Sequence, residues 1–472
     1  MFDLYYQVSS LSEAISLLSD KTKKLKIIAG GTDLWLEYKN KSHSDLEGFI
    51  DISRISELDQ IYSDKHQVIH LGPLVTHAHC VRSSVIKEHA YCLYQACQSV
   101  GSPQIRNRGT IAGNIVTGSP ANDTISALMV LEAVIVVKSI RGKREIPIVE
   151  LYKGVRKTII EKDEIVIDIC FKKTENTNTK SFFVKNGLRK AQAISVVNFA
   201  LLYSTDNDGI ITEFRIAFGS LAPTVVRATT AEKYAVGKRL TEIDREEFTN
   251  LALNHISPIT DIRSTQEYRK QVVAVLVKRN LERLITASSQ DNRAQRDVSL
   301  WGSKEQTYTP ITKMSTLGIG SKINLELNGK KTTLLCNPGM TLLDALRNHA
   351  GLTGSKEGCG EGECGSCTVY LDGIAVLACL IPAQRAENAK VETIESLSND
   401  KELSKIQQYF IEENAIQCGF CTPGFIMSAN KLIEEIKNPN EDEIKIAISG
   451  NLCRCTGYYK IIKAIEKAAE LR

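Results

Sequence analysis

The sequence predicts a multidomain α+β protein, and three observations carry that prediction. At 472 residues the chain is too long for one core and calls for three or four compact units. Alternating strand-like runs and amphipathic helical stretches both recur along it. Eight of its thirteen cysteines stand at or beyond Cys359, so the C-terminal region carries a chemistry that the rest lacks.

Composition narrows the class. A hydrophobic share of 43% and a charged share of 24% are those of an ordinary globular protein. A net charge of +4 over this length points to neither nucleic acid nor a membrane surface. MFDLYYQVSS lacks the basic-then-apolar pattern of a secretory signal, and no run reaches the ~18 apolar residues of a membrane span. The expectation is a cytoplasmic protein whose thiols stay reduced, so clustered cysteines read as metal ligands. An odd cysteine count also fits complete disulfide pairing poorly.

Along the chain, KIIAGGTDLW (26–35) gives an apolar strand, the pair Gly30-Gly31, and Thr32 opening a helical stretch. A strand, a glycine pair and a helix start can cradle a phosphate, though a plain tight turn reads the same way. VTHAHC offers His77, His79 and Cys80 as metal donors, but Thr76 is placed as a helix N-cap and residues two apart on a helix do not share a face. Cys80, Cys92, Cys97, Cys170 and Cys336 are scattered, and each reads as a small buried hydrophobe. In GSPQIRNRGTIAGNIVTGSPANDTISALMVLEA (101–133), Gly109, Thr110, Gly113 and Asn114 can turn backbone donors toward a pyrophosphate. Asp123 is placed for a polyol hydroxyl or, equally, as a helix cap. Residues 287–318 are polar and poorly periodic and read as a linker, with Trp301 and Tyr308 available for docking.

The next stretch is sharper. Cys359, Cys364 and Cys367 give C-x4-C-x2-C, and Cys379 follows in VLACLIP, the spacing of a plant-type [2Fe–2S] site. Glycines between them supply positive φ and close backbone approach around an inorganic cluster. A zinc site needs a similar ligand count but rarely uses this spacing. Gly360, Gly362 and Gly365 also satisfy G-x-G-x-x-G, yet no parallel strand feeds the loop and Glu361 and Glu363 would repel a pyrophosphate. The flanks suit a β-grasp fold. INLELNGKKTTLL is a hairpin around Asn328-Gly329, Thr341 caps the helix TLLDALRNH, and CTVYLDG is a strand leaving the loop. Further on, Cys418 and Cys421 in QCGFCTPG precede a helix for which Thr422-Pro423 is the expected cap and first turn. Cys453 and Cys455 in GNLCRCTGY precede YYKIIKAIEKAAEL. Helix N-termini favour thiolates, so this region reads as a helical bundle holding a second cluster.

On the segments GCGEGECGSCTVYLDG, QCGFCTPGF and GNLCRCTGY, residues ~320–472 resemble the iron–sulfur subunit of molybdenum hydroxylases, the xanthine dehydrogenase family. KIIAGGTDLW, the 101–133 loop, FFVKNGLRKAQAISVVNFA with Lys185 and Arg189, FRIAFGSLAPTVVRA and DIRSTQEYRKQVVAVLVKR resemble its flavoprotein subunit. The resemblance implies a vanillyl-alcohol-oxidase-type FAD domain of two α/β subdomains over 1–175, a flavoprotein C-terminal α/β domain over 176–286 and the linker over 287–318. It implies a β-grasp ferredoxin-like [2Fe–2S] domain over 319–396 and a helical [2Fe–2S] domain over 397–472. It implies FAD contacts at Lys26, Ile27, Ile28, Ala29, Gly30, Gly31, Thr32, Asp33, Gly109, Thr110, Ile111, Ala112, Gly113, Asn114, Asp123, Ile165 and Lys185. The cluster ligands it implies are Cys359, Cys364, Cys367, Cys379, Cys418, Cys421, Cys453 and Cys455. In the family the helical-domain cluster faces the molybdopterin, with the positions of Gln417 and Cys455 near the pterin, and the ferredoxin-like cluster faces the flavin.

No stretch remains for a molybdopterin domain and none for hydroxylation chemistry, so no catalytic residue is expected and molybdopterin belongs to a large partner subunit. The implied function is an electron-transfer oxidoreductase subunit, passing electrons to FAD and on to NAD or another small acceptor within a hetero-oligomer. Purine is the first expected substrate of the partner, with nicotinate, aldehyde or carbon monoxide as alternatives. An aromatic CoA-thioester reductase fits less well, because the flavin half lacks a four-cysteine insert. A stand-alone FAD/iron–sulfur carrier or redox sensor is the reading from another class, and a structural zinc protein a third. The flavin-first order reverses that of the family's single-chain enzymes.

Overall fold

The first fifty residues already set a pattern, because short apolar strands alternate with capped helices. Strand Leu4–Gln7 leads through helix Leu11–Ser19, whose N-cap Ser10 accepts from the Glu13 amide, to strand Leu25–Ile28. Helix Leu34–Lys39 then leads to strand Gly48–Asp51, which pairs in parallel with both earlier strands. Ser315–Leu317 adds an antiparallel edge, Tyr5 opposite Leu317. Tyr5, Ile28, Trp35, Leu46 and Phe49 fill the core beneath.

The computed structural model describes residues 3–40, 45–174, 178–286, 296–303, 309–398 and 402–470. The chain forms two compact units, one of residues 1–56, 101–109 and 296–472, the other of residues 57–100 and 110–295. The units do not follow chain order: the first 56 residues join the cysteine-rich region rather than the segment that follows them.

In the first unit, the β-grasp sheet runs Lys330–Leu335, Lys322–Leu327, Lys390–Glu392, Thr368–Leu371, Ile374–Leu377. Its hairpin turns on Asn328 and Gly329, at φ 50° and 77°, the paired left-handed conformation a two-residue turn demands. Thr341 caps helix Leu342–Asp344 in a reciprocal box with Asp344, and the helix ends in a π turn, Ala345–His349. Helices Lys405–Glu412, Thr422–Glu435, Glu441–Ala447 and Tyr459–Glu470 bury Phe410, Phe425, Leu432, Ile444 and Ile465. Thr422 opens its helix rather than capping it: Cys421 takes the cap position and makes no side-chain cap bond.

The described parts of the expected linker are built into this unit. Val298 and Leu300 enter the helical core, the Ser299 and Leu300 amides donate to the Glu435 carboxylate, and the Trp301 indole donates to Asn107 Oδ1 at 2.7 Å. Two apolar side chains and an amide-binding carboxylate give a polar-looking segment a fixed seat. Tyr308 lies outside the described residues.

The second unit holds two large sheets and a short hairpin, Tyr152–Gly154 with Lys157–Thr158. One is fully antiparallel, in the order Ile61–Ser63, Val68–Leu71, Ile165–Lys172, Val134–Ser139, Gly142–Pro147, and helices Tyr91–Ser99, Ile111–Thr117 and Asp123–Val130 supply residues to its core. The other runs Thr179–Gly187, Ser195–Thr205, Ile211–Gly219, Val226–Arg227 and shares a core with helices Thr229–Ala235, Arg245–Leu253 and Gln266–Ile285. Among the described residues, no helix is long and apolar enough to cross a membrane.

Candidate functional site

Four thiols converge in the β-grasp loop. Cys359 and Cys364 are hydrogen-bonding neighbours, as are Cys367 and Cys379, and the Cys379 thiol also feels Cys359. Crowding splits their acidities. The Cys359 thiol donates to Cys364 and is pushed up, while Cys364, accepting that bond, is drawn down. The Glu361 and Glu363 amides point at Cys359 Sγ from 3.4 and 3.2 Å. Gly360, Gly362 and Gly365 all sit at positive φ, between 69° and 81°. A Cβ on Gly358 would approach Cys364 Sγ to 2.8 Å, so a side chain there would have to displace the Cys364 thiol. Four soft donors ringed by inward amides fit a [2Fe–2S] cluster.

The second set is more open. Cys418 and Cys455 are exposed, with their sulfurs 3.6 Å apart, and Cys421 neighbours Cys453. Burial opposes ionisation of Cys453, but the Thr456 amide (3.4 Å) and hydroxyl (3.1 Å) donate to its sulfur and hold its pKa below the usual thiol value. Cys421 stands at the start of one helix, and Cys453 and Cys455 lie in the loop before Tyr459–Glu470.

Backbone joins the two sets. The Leu452 amide, one residue before Cys453, donates to the Cys364 carbonyl at 3.0 Å. Asn451, 2% exposed, donates to Gly365 O and accepts from Ser428 Oγ and Gln104 Nε2. Glycine permits this approach, since a Cβ on Gly365 would lie 2.3 Å from Gly450 O and one on Gly424 2.2 Å from Gly365 O. Sequence reasoning missed Gln104, Ser428 and Asn451; only the glycines beside them carried a signal.

The flavin-loop residues divide between the units. In the first, Lys26, Ile27 and Ile28 lie on a strand, and Ala29, Gly30, Gly31, Thr32 and Asp33 form the turn into the next helix. Burial draws the Lys26 ammonium below its ordinary value. A Cβ on Gly30 would strike Arg108 O at 2.3 Å and reach Gly109 Cα at 3.1 Å, so the Gly30 backbone packs directly on that of Arg108 and Gly109. The same turn faces the cysteine loop: a Cβ on Gly31 would be 3.8 Å from Leu380 O, and Lys39 Nζ is 3.4 Å from Gly360 O.

In the second unit, Thr110 caps helix Ile111–Thr117 through the Gly113 amide, with Ala112 and Asn114 in its first turns. Asn114 Oδ1 accepts from Thr124. Asp123 is neither a cap nor free: Asn122 holds the cap position, and the buried Asp123 carboxylate accepts from Lys185 at 2.6 Å, Ser195 at 2.5 Å, and Asn198 and Ser99 at longer range. Burial raises its pKa, and Lys185 opposes that shift. Ile165 opens a strand with its side chain in the interior. The structure brings Asp123 and Lys185 together, while Ile165 sits in the sheet, opposite Lys138.

Of the scattered cysteines, Cys80, Cys92, Cys97 and Cys336 are buried as expected. Cys170 is only half-buried and neighbours His70 and Asp168, an arrangement set by strand register and invisible in sequence. His79 is occupied in the capping box of Thr76.

Comparison with known proteins agrees with this layout. Residues 1–171 match the model for the FAD binding domain in molybdopterin dehydrogenase, and residues 182–284 that for the CO dehydrogenase flavoprotein C-terminal domain. Residues 325–391 match a 2Fe-2S iron-sulfur cluster binding domain, and 393–466 a [2Fe-2S] binding domain. The nicotinate dehydrogenase small FeS subunit of Eubacterium barkeri is 47% identical over 31% of this chain and 94% of its own length. The xanthine dehydrogenase FAD-binding subunit of Escherichia coli O157:H7 is 30% identical over 61% of this chain and 98% of its own. A chain of carbon monoxide dehydrogenase from Hydrogenophaga pseudoflava superposes at TM-score 0.56 with 27% identity, covering 59% of this chain and 95% of that one.

Neither glycine loop offers a histidine or cysteine for covalent attachment. Acid precipitation is therefore expected to release FAD into the supernatant; flavin kept in the pellet, or FMN, contradicts this. Two flavoprotein domains followed by two cluster domains make this chain a member of the molybdenum hydroxylase family, its FAD and [2Fe–2S] subunits fused into one oxidoreductase subunit.

Proposed function

We propose that this chain is the electron-transfer subunit of a molybdopterin-dependent dehydrogenase, carrying electrons from a molybdenum site on a large partner through two [2Fe–2S] clusters to FAD and on to NAD or another small acceptor. One observation supports this order above others: the cysteine sets are arranged in series. Cys418 and Cys455 open to the surface, Leu452 N–H binds Cys364 C=O, and the cysteine loop abuts the Gly30-Gly31 turn. Bound clusters supply one-electron carriage, and flavin supplies exchange between one- and two-electron chemistry. The protein's part is positioning. Asn451 orients the loop carrying Leu452, the Thr456 donors bias Cys453, and the inward amides bias Cys359.

A purine remains the first substrate proposed for the partner, supported by likeness to the xanthine dehydrogenase FAD-binding subunit across the flavin half. Nicotinate follows, on the likeness of the cluster half to a nicotinate dehydrogenase subunit. Against the stand-alone carrier stand the exposed apolar side chains flanking the outer ligands, Ile416, Phe420, Leu452 and Tyr459, the last 78% exposed. Such side chains in a group mark a protein interface.

Purification of the native complex tests the reading. A large molybdenum-containing chain should accompany this one in fixed ratio; a lone, molybdenum-free chain with full activity sinks it. Gln417, exposed beside Cys418, gives a finer check. Leaving its partner group unpaired at an interface costs about 1–3 kcal/mol. Gln417→Ala should then slow substrate-driven flavin reduction while sparing NADH-to-dye flow. Equal loss of both activities contradicts an interface role.

A further inference from the structure

The antiparallel sheet of the second unit carries a donor cluster that electron transfer does not use. On neighbouring strands Tyr62 stands opposite His70 and His70 opposite Cys170. Asp168, two residues before Cys170, shares its face of the sheet. One donor atom from each of His70, Asp168 and Cys170 lies within 4.8 Å of the other two. His70 Nδ1 is 2.6 Å from Asp168 Oδ2, and His70 Nε2 is 3.7 Å from Asp64 Oδ2. The Tyr62 ring stacks on the imidazole at 4.8 Å and 11°.

The charge here is unbalanced. Asp168, Glu145 and Asp64 all bear on the Cys170 thiol, which burial pushes up to about 11. Among the described residues, Asp64 and Asp168 have no lysine or arginine ion-pair partner: Asp168 Oδ2 meets His70, and Asp64 turns Oδ2 toward His70 while its Oδ1 accepts from the His66 and Val68 amides. Two half-buried carboxylates and a thiol around one imidazole form a site that a cation would neutralise.

We infer that His70, Asp168 and Cys170 bind a borderline divalent cation of the zinc class, with a fourth position open to water or an exogenous ligand. Imidazole nitrogen, carboxylate oxygen and thiolate sulfur are the donor mixture such cations accept, and binding releases the thiol proton. A cation on the Nδ1 side leaves Nε2–H facing Asp64, the outer carboxylate that commonly orients a ligating histidine. Strand register holds all three donors, so little reorganisation is needed beyond parting the His70–Asp168 hydrogen bond.

The test is equilibrium dialysis of the full-length chain, clusters and flavin in place, against dilute zinc chloride, followed by metal analysis and zinc-edge X-ray absorption. The expected result is one zinc retained per chain with iron unchanged and a sulfur neighbour at about 2.3 Å. Cys170→Ser and His70→Gln should each lower zinc affinity at least tenfold with iron, sulfide and flavin contents intact. Asp64→Asn should weaken it about 10–100-fold. Zinc that is not retained, that binds both variants as it binds wild type, or that enters only as iron leaves, overturns the inference.

Discussion

Arg385→Ala is expected to be the most destabilising single change outside the cluster ligands. The Arg385 guanidinium and the Asp51 carboxylate are each 2% exposed and 2.7 Å apart, and a second arm, Nε, reaches Asp51 at 3.2 Å. Tyr5 donates to the same carboxylate at 2.7 Å, and Arg385 Nη1 reaches Gly30 O at 3.4 Å. Removing one partner of a buried pair strands the other charge and costs about 3–5 kcal/mol. Both tryptophans, Trp35 and Trp301, lie in this unit, so their fluorescence follows its unfolding in urea. The variant should show a lower midpoint and reduced flavin content, because Gly30 O loses a donor. Arg385→Lys should recover only part, since an ammonium cannot grip both carboxylate oxygens. Burial works against the Asp51 charge, but Arg385, together with hydrogen bonds from the Ser53 amide and the Tyr5 hydroxyl, outweighs it and holds the carboxyl below its ordinary value. That contribution is complete above the usual carboxylate range, and it is lost as the pH falls below about 4 through the depressed value. An unchanged midpoint in Arg385→Ala contradicts this account.

Gly365→Ala should separate the two cysteine sets. Gly365 sits at φ 69°, and an added Cβ would lie 2.3 Å from Gly450 O and 2.5 Å from Asn451 Nδ2. A left-handed alanine costs about 1–2 kcal/mol, and overpacking against backbone about 1–3 more. Gly373→Ala is the matched control, at φ 88° with nothing within 4 Å of the new Cβ. The control pays the conformational cost alone. Reduced Gly365→Ala should show weaker magnetic interaction between the two cluster signals, and Gly373→Ala should match wild type. If both variants keep the wild-type interaction, the Leu452–Cys364 contact does not set the spacing.

What the sequence made legible was local. The cysteines proposed to hold the clusters sit in short loops whose spacing is read directly from the chain, and Asn328-Gly329 and Thr341 declare their turn and cap through their own backbone demands. Long-range pairs left no such trace. Arg385 and Asp51 are 334 positions apart, and Gln104 and Asn451 are 347 apart. Val298 and Leu300 lie in a polar stretch too short to show periodicity, yet they fill the helical core. Asp123 and Lys185 were each singled out, but their pairing required the strand that carries Lys185 to lie beside the Asp123 helix. His70, Asp168 and Cys170 meet only through cross-strand register.

Electron paramagnetic resonance of the anaerobically reduced, purified chain, read beside its iron and sulfide contents, is the most direct measurement. The expected result is about four iron and four acid-labile sulfide per chain, with two distinct rhombic signals, of which Cys364→Ser removes one and spares the other. A zinc-loaded, spectroscopically silent protein, or a Cys364→Ser variant that keeps both signals, contradicts it.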